Sequence, residues 1–240
     1  ALQLDPKNAF AAQGIAIALC DDKKAYSDAL QIFTKIKDTL RDASVNINLG
    51  HVLTELRQFQ RGIDNYEIAL RKEVKGENAQ LLACLSRVWL LKGKADRSIT
   101  ALNAALDYMK RALATQPDSP HLQFNVAFIQ FQIAQHVNQA KETDRTLADV
   151  EAAIAGLEEA IETFEQVARH KQPPYPRTAL EQRAAMGRNT MRNQLERQRT
   201  KQAAFENENA TKLQEAIEKR QEELRRREEA SRRRKQEEEE

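Results

Sequence analysis

The chain has 240 residues, 41% of them hydrophobic but only 5% aromatic, with seven glycines and six prolines. Abundant Ala, Leu, Glu, Gln, Lys and Arg favour helix over strand, since straight-chain side chains lose little rotamer freedom in a helix. A formal net charge of +2 argues neither for nor against nucleic acid, and no apolar run approaches the ~20 residues that span a bilayer, so no membrane partner is expected.

The first residues, Ala1 to Asn8, read as the end of a helix with a proline stop at Pro6. The chain thus begins in mid-motif, without Met and without a signal peptide, as a piece of a longer protein would. A helix pair follows, with Ile15 and Ala16, then Leu19, and a second helix carrying Tyr26, Ala29, Phe33 and Ile36. The next pair repeats the pattern: Leu49 and Gly50, then Leu53, Phe59, Gly62, Tyr66, Ala69 and Leu70. Ala29 to Gly62 and Phe33 to Tyr66 are both 33-residue steps, close to the ~34-residue tetratricopeptide (TPR) period.

A third unit places Leu85 and Ser86 in the small-residue slot and Trp89 one turn on, with Gly93 expected to mark the turn. Ser98, Leu102 and Ala105 then fall on its second helix, and the late Pro117 implies a second helix two turns longer than usual. A fourth unit has Val126 and Ala127 on its first helix, a long polar connection over 138–146, and Ala160, Phe164 and Val167 on its second. Small residues let paired helices approach, large ones fill the space between pairs, and one such unit cannot bury its own face. The expected fold is all-α: a TPR solenoid, a right-handed superhelix of antiparallel helix pairs over residues 1–172.

Pro173, Pro174 and Pro176 close the last repeat, making 173–176 a hinge. Residues 177–240 hold 17 of the 38 basic and 14 of the 36 acidic residues and contain no proline, so a long charged helix is expected. Leu180, Ala184, Met191 and Leu195 form a narrow stripe able to dock on the last repeat, over about 177–205. Leu213, Ile217 and Leu224 make a shorter seam of coiled-coil spacing, and beyond 224 the helix is expected to be solvated or frayed. Glu222–Arg226 and Glu223–Arg227 suit i,i+4 pairing. Arg225, Arg226 and Arg227, and then Arg232, Arg233 and Arg234, invite a nucleic-acid reading. Interleaved acidic blocks and the lack of nearby aromatics favour a solvated helix instead.

No catalytic, metal or cofactor constellation is present. His51, His121, His136 and His170 lack ligand spacing to one another, and no Walker, GxGxxG, HExxH or GxSxG motif occurs. Cys20 and Cys84 stand alone on apolar stretches, which implies buried free thiols in a reducing compartment. Recognition is therefore the expected work, along the groove formed by the first helices. The repeat register points Phe10, Gln13 and Ile17 into it, then Ile47 and His51, then Arg87, and finally His121, Phe124, Phe128 and Phe131. The three phenylalanines share one helical face, which suits either an apolar partner segment or packing on the chain's own next helix. Gln13, Ile17, Ile47 and His51 occupy the slots where a chaperone-binding carboxylate clamp needs Lys and Asn, so that clamp is missing.

The run Asn48-Leu49-Gly50-His51-Val52 leading to Phe59 and Tyr66-Glu67, then Phe124-Asn125-Val126-Ala127, followed by a very long Glu/Arg/Lys/Gln helix, resembles one family in particular. It is similar to the large TPR subunits of RNA polymerase II-associated factor (PAF) complexes, the "Cln-three-requiring nine" family, in their late repeats and the start of their charged tail. That resemblance implies a nuclear, non-enzymatic scaffold for transcription elongation and the accompanying histone modification. Its array would hold the other PAF subunits, and its helix would be a strut lying against RNA polymerase II. The alternatives are a generic TPR adaptor or co-chaperone, and a TPR platform with a nucleic-acid-binding tail.

Overall fold

The computed structural model describes residues 5, 7–22, 24–72 and 78–239, and side chains as far as residue 230. The expected end of a preceding helix, at Ala1–Leu4 and Pro6, lies outside the described residues. Four antiparallel pairs stack in chain order: α1 (Ala9–Asp21) with α2 (Tyr26–Leu40), α3 (Ala43–Glu55) with α4 (Phe59–Lys72), α5 (Ala79–Asp96) with α6 (Ile99–Thr115), and α7 (Pro120–Gln139) with α8 (Leu147–Ala168). Each second helix also packs on the next first helix, as a solenoid requires.

Side-chain caps define where the first helices begin. The side chains of Asn8, Asp42, Asn78 and Ser119 accept backbone N–H bonds from the first turns of α1, α3, α5 and α7. Thr146 and Asp149 form a reciprocal capping box on α8. The small slots then set the packing. Ala16, Ala29, Ser86, Ala127 and Ala160 have no exposed surface, and a Cβ on Gly50 would stand 2.6 Å from the Tyr66 ring. Buried Ser86 goes further: its hydroxyl donates to the Ala105 carbonyl across the pair at 2.6 Å.

Two details of the third unit differ from expectation. Gly93 does not mark a turn; it is buried inside α5, where a Cβ would lie 2.7 Å from Leu102 Cδ2 and 3.0 Å from the Leu102 backbone nitrogen. Where the second pair closes toward its turn, the glycine is on the second helix, with Gly62 facing Thr54. The third has Leu102 there, and the small residue has crossed to the first helix. The turn itself is made by Arg97, held left-handed at φ 51°, with Ser98 capping α6 rather than lying within it. Nor is α6 two turns longer than its counterpart. It has 17 residues against 14 in α4, and the rest of the extra length is in α5, which has 18 against 13 in α3.

After Pro176 the chain turns into α9 (Arg177–Met186), one π-helical turn (Gly187–Met191) and α10 (Arg192–Glu239), which run on as one helix. At ~1.5 Å per residue that helix is roughly 95 Å long. Its first half lies against α8 and α7. From Asn207 to Ala230 every residue is exposed.

Candidate partner groove and helix clamp

The groove is built from the inward faces of α3, α5 and α7. At its α1 end, Phe10 is 72% and Ile17 40% exposed, while Gln13 turns aside to donate to Ser44 Oγ at 3.0 Å. Ile47 is half-buried against the α4–α5 core. The middle is polar: Arg87 pairs with Glu55 at 3.0 Å, and the Tyr66 hydroxyl meets His51 Nδ1 at 2.8 Å. Burial, and then the Arg87 charge, hold the His51 imidazole below its usual range, and burial pushes the Tyr66 phenol up. Burial thus favours the neutral imidazole, and its tautomer sets which of His51 Nδ1 and the Tyr66 hydroxyl donates. His121 is exposed at the start of α7.

The three phenylalanines part company. Phe131 is 2% exposed with its ring 6.1 Å from that of Phe164, and so belongs to the core between α7 and α8. Phe124 is 5% exposed, 5.8 Å from Phe164 on one side and 4.2 Å from Tyr175 on the other. Only Phe128 remains half-open. Its ring lies 6.0 Å from Phe124, with the Lys94 ammonium at 5.6 Å and the Arg183 guanidinium at 5.3 Å from its centroid, positions that suit cation–π attraction. Tyr175, itself half-exposed, brings the proline hinge over the groove. The resulting cavity, of about 540 Å³, is bounded by Ala83, Arg87, Leu90, Phe128, Tyr175 and Arg183.

The two thiols are free but half-buried, not enclosed: Cys20 lies near the end of α1, and Cys84 in the wall of this cavity. Burial raises both above the ordinary thiol range, which keeps them protonated and weakly nucleophilic.

The second constellation holds the long helix. Leu180, Ala184, Met191 and Leu195 are all buried. Full burial of Leu180 and Leu195 contributes about 1.5–3 kcal/mol each. Beyond Leu195 the same face turns polar without leaving the protein. Arg145, in the long α7–α8 connection, has a side chain only 1% exposed. Its guanidinium donates to the Val137 carbonyl at 2.7 Å, Gln198 Oε1 at 2.7 Å and Gln202 Oε1 at 3.0 Å. Gln202, equally buried, returns its amide to the Arg145 carbonyl at 3.0 Å and the Glu142 carbonyl at 3.1 Å. Glu206 finishes the set, accepting from Gln202 at 3.0 Å and from the Leu147 backbone N–H at 2.6 Å. Ion pairs of Arg188 with Glu165 and of Arg192 with Glu158 flank the contact.

Sequence reasoning passed over this clamp, because a polar loop and scattered glutamines resemble solvated surface. The available signal was spacing: Gln198, Gln202 and Glu206, at i, i+4 and i+8, extend the stripe that Leu195 ends. Farther out, Arg225, Arg226 and Arg227 are exposed, and Arg226 pairs with Glu222. The side chains of Arg232, Arg233 and Arg234 lie outside the described residues. No helix among the described residues is long and apolar enough to cross a membrane.

No protein-family profile matches the sequence. Over 216 residues, 90% of the chain, it is 40% identical to Tetratricopeptide repeat protein 1 of Schizosaccharomyces pombe. Over a further 90% match it is 34% identical to the RNA polymerase-associated protein CTR9 of Saccharomyces cerevisiae, and over 71% it is 29% identical to the protein of that name in Caenorhabditis elegans. The chain spans about a fifth of the length of the two yeast relatives (21% of each). Among solved structures it superposes on YrrB, a TPR protein, with a TM-score of 0.46 at 16% identity, covering 82% of this chain and 95% of that one.

Proposed function

This chain is a homologue of the CTR9-like TPR proteins, and from that premise we propose that it is part of the nuclear scaffold of a PAF transcription elongation complex. It is a non-enzymatic interaction module, with repeats that bind protein segments. In this reading the groove holds other PAF subunits, and the helix leaving the last repeat projects toward RNA polymerase II. The observation that carries it is the extent of the yeast homology. A continuous match over 90% of the chain leaves out at most its outer tenth, so it takes in both the repeats from α3 onward and the clamped part of the helix. The geometry supports the division of labour. An open groove offers a side-chain-lined track, while buried Arg145 fixes the direction in which the exposed stretch 207–230, about 36 Å of helix, leaves the body.

The test is affinity capture from nuclear extract of the source organism, using the tagged chain, followed by mass spectrometry. PAF subunits and RNA polymerase II should be enriched, and truncation after residue 206 should lose polymerase while keeping PAF subunits. Enrichment of chaperones or motor proteins, with PAF subunits and polymerase absent, would overturn the reading.

A further inference from the structure

The groove does not end at Phe128. One turn farther along the same face of α7 comes Gln132, and two turns farther Gln135 and His136, and these line a second cavity of about 600 Å³ with Lys94, Arg97 and Lys141. The two cavities meet at Lys94, which lines the second and holds its ammonium against the Phe128 ring of the first. The floor is therefore a continuous α7 face from Phe124 to Gln139. It is about 22 Å long at ~1.5 Å per residue, which an extended chain at ~3.3 Å per residue covers in roughly seven residues.

Its two ends differ in chemistry. At the hinge end, Phe124, Phe128, Leu90 and Tyr175 present an aromatic and aliphatic surface. At the other end Lys94, Arg97 and Lys141 gather around glutamines, and Asp144 is the one carboxylate in that lining. Arg183 adds a further positive charge over Phe128. A neutral or basic occupant would leave this concentration of charge uncompensated in a concave site, where field lines are focused. The chain as a whole carries a formal charge of only +2, so the local excess is a property of this groove.

We propose that the end of the groove between α5, α7 and the proline hinge binds an extended, bipartite segment of a partner protein. The apolar part of that segment, an aromatic or leucine anchor, sits on Phe128 and Tyr175. Its carboxylates follow toward Lys94, Arg97 and Lys141. Such a site differs from a clamp for a terminal carboxylate, because the positive charges lie where α5 and α7 end and receive side chains from an internal segment. The proposal rests on the scaffold reading and names the chemistry of the partner in this part of the groove.

The test titrates the intact chain with the fluorescein-labelled peptide Phe-Ser-Leu-Ser-Asp-Glu-Asp by fluorescence anisotropy. Two control peptides accompany it, one with the acidic residues replaced by Lys and one with Phe and Leu replaced by Ser. The acidic, apolar peptide should bind at least tenfold more tightly than either control. A double variant, Lys94→Glu with Lys141→Glu, changes two exposed side chains, so it should keep the wild-type melting temperature and lose at least tenfold in affinity. Equal binding of the three peptides, or undiminished binding by the variant, would overturn the proposal. Nuclear capture with the same variant separates the two readings. PAF subunits retained equally by wild type and variant would remove the bipartite site and leave the scaffold standing. PAF subunits captured by neither protein would remove the scaffold reading, while the peptide titration still decides the groove chemistry.

Discussion

The long C-terminal helix is one continuous element in two physical states. From Arg177 to Glu206 one face is buried against α8, α7 and their connection; from Asn207 on, every described side chain is exposed. Helix propensity does not separate the halves, since both are rich in Ala, Glu, Gln, Lys and Arg. Nor does the presence of apolar residues, because Leu213, Ile217 and Leu224 in the outer half are 42–63% exposed. What differs is the company each stripe keeps. Leu180 and Leu195 meet the α8 face, and where their stripe runs out the buried Arg145 set takes over. The outer seam meets nothing. Docking here depends on a specific polar clamp as much as on hydrophobic contact, and the free half is left as a projecting helix.

The severest way to break that contrast is Arg145→Ala. It strands the Val137 carbonyl and the two glutamine side-chain oxygens that the guanidinium now satisfies. Leaving a buried hydrogen-bond acceptor unsatisfied costs about 1–3 kcal/mol, and three acceptors lose their donor here. Residues 192–206 should then lose hydrogen-exchange protection and resemble the outer half, while α1 to α6 keep theirs. Protection unchanged over 192–206 would show that apolar contact alone holds the helix.

A smaller effect is expected from Gly187→Ala, which probes the π-helical turn. An added Cβ would stand 2.8 Å from Ile161 Cγ1, inside the core. The better helix propensity of alanine offsets part of the strain, leaving a net loss of about 1–2 kcal/mol and a fall of several degrees in melting temperature. A stabilised protein would mean that the turn has slack, and that the helix could approach α8 without it.

These two sites also show why the sequence was legible in some places and opaque in others. The repeats could be read because close approach demands a small residue at the same place on each first helix, and Ala16, Gly50, Ser86 and Ala127 announce it. The inner stripe could be read because Leu180, Ala184, Met191 and Leu195 are apolar in a charged segment. Gly93 misled because glycine has two uses, ending helices and admitting a neighbour, and only the position of Leu102 tells which applies. The three phenylalanines follow one spacing rule, yet they divide between core and groove because Phe164 and Tyr175 approach the α7 face from opposite sides. Arg145 and Gln202 were invisible for a different reason. A buried polar group resembles a surface one in sequence, and only the pairing of these two, 57 residues apart in the chain, gives them away.

The smallest effect should come from the outer seam, and its smallness is the point. Replacing Leu213, Ile217 and Leu224 together by Gln removes apolar surface that already faces water, so folding stability should change by no more than about 0.5 kcal/mol. Thermal melting and the protection of residues 177–206 should match the wild type. Concentration sharpens the measurement, because a seam buried in a second copy would make the wild-type melting temperature rise with protein concentration, and the triple variant would abolish that rise. Arg220 and Arg227 stand at the intervening coiled-coil positions, interrupting the seam with charge. The wild-type melting temperature should therefore not depend on concentration. A loss larger than that bound, or a rise that the variant removes, would put the two halves of the helix in the same class: both docked, one of them on a partner copy.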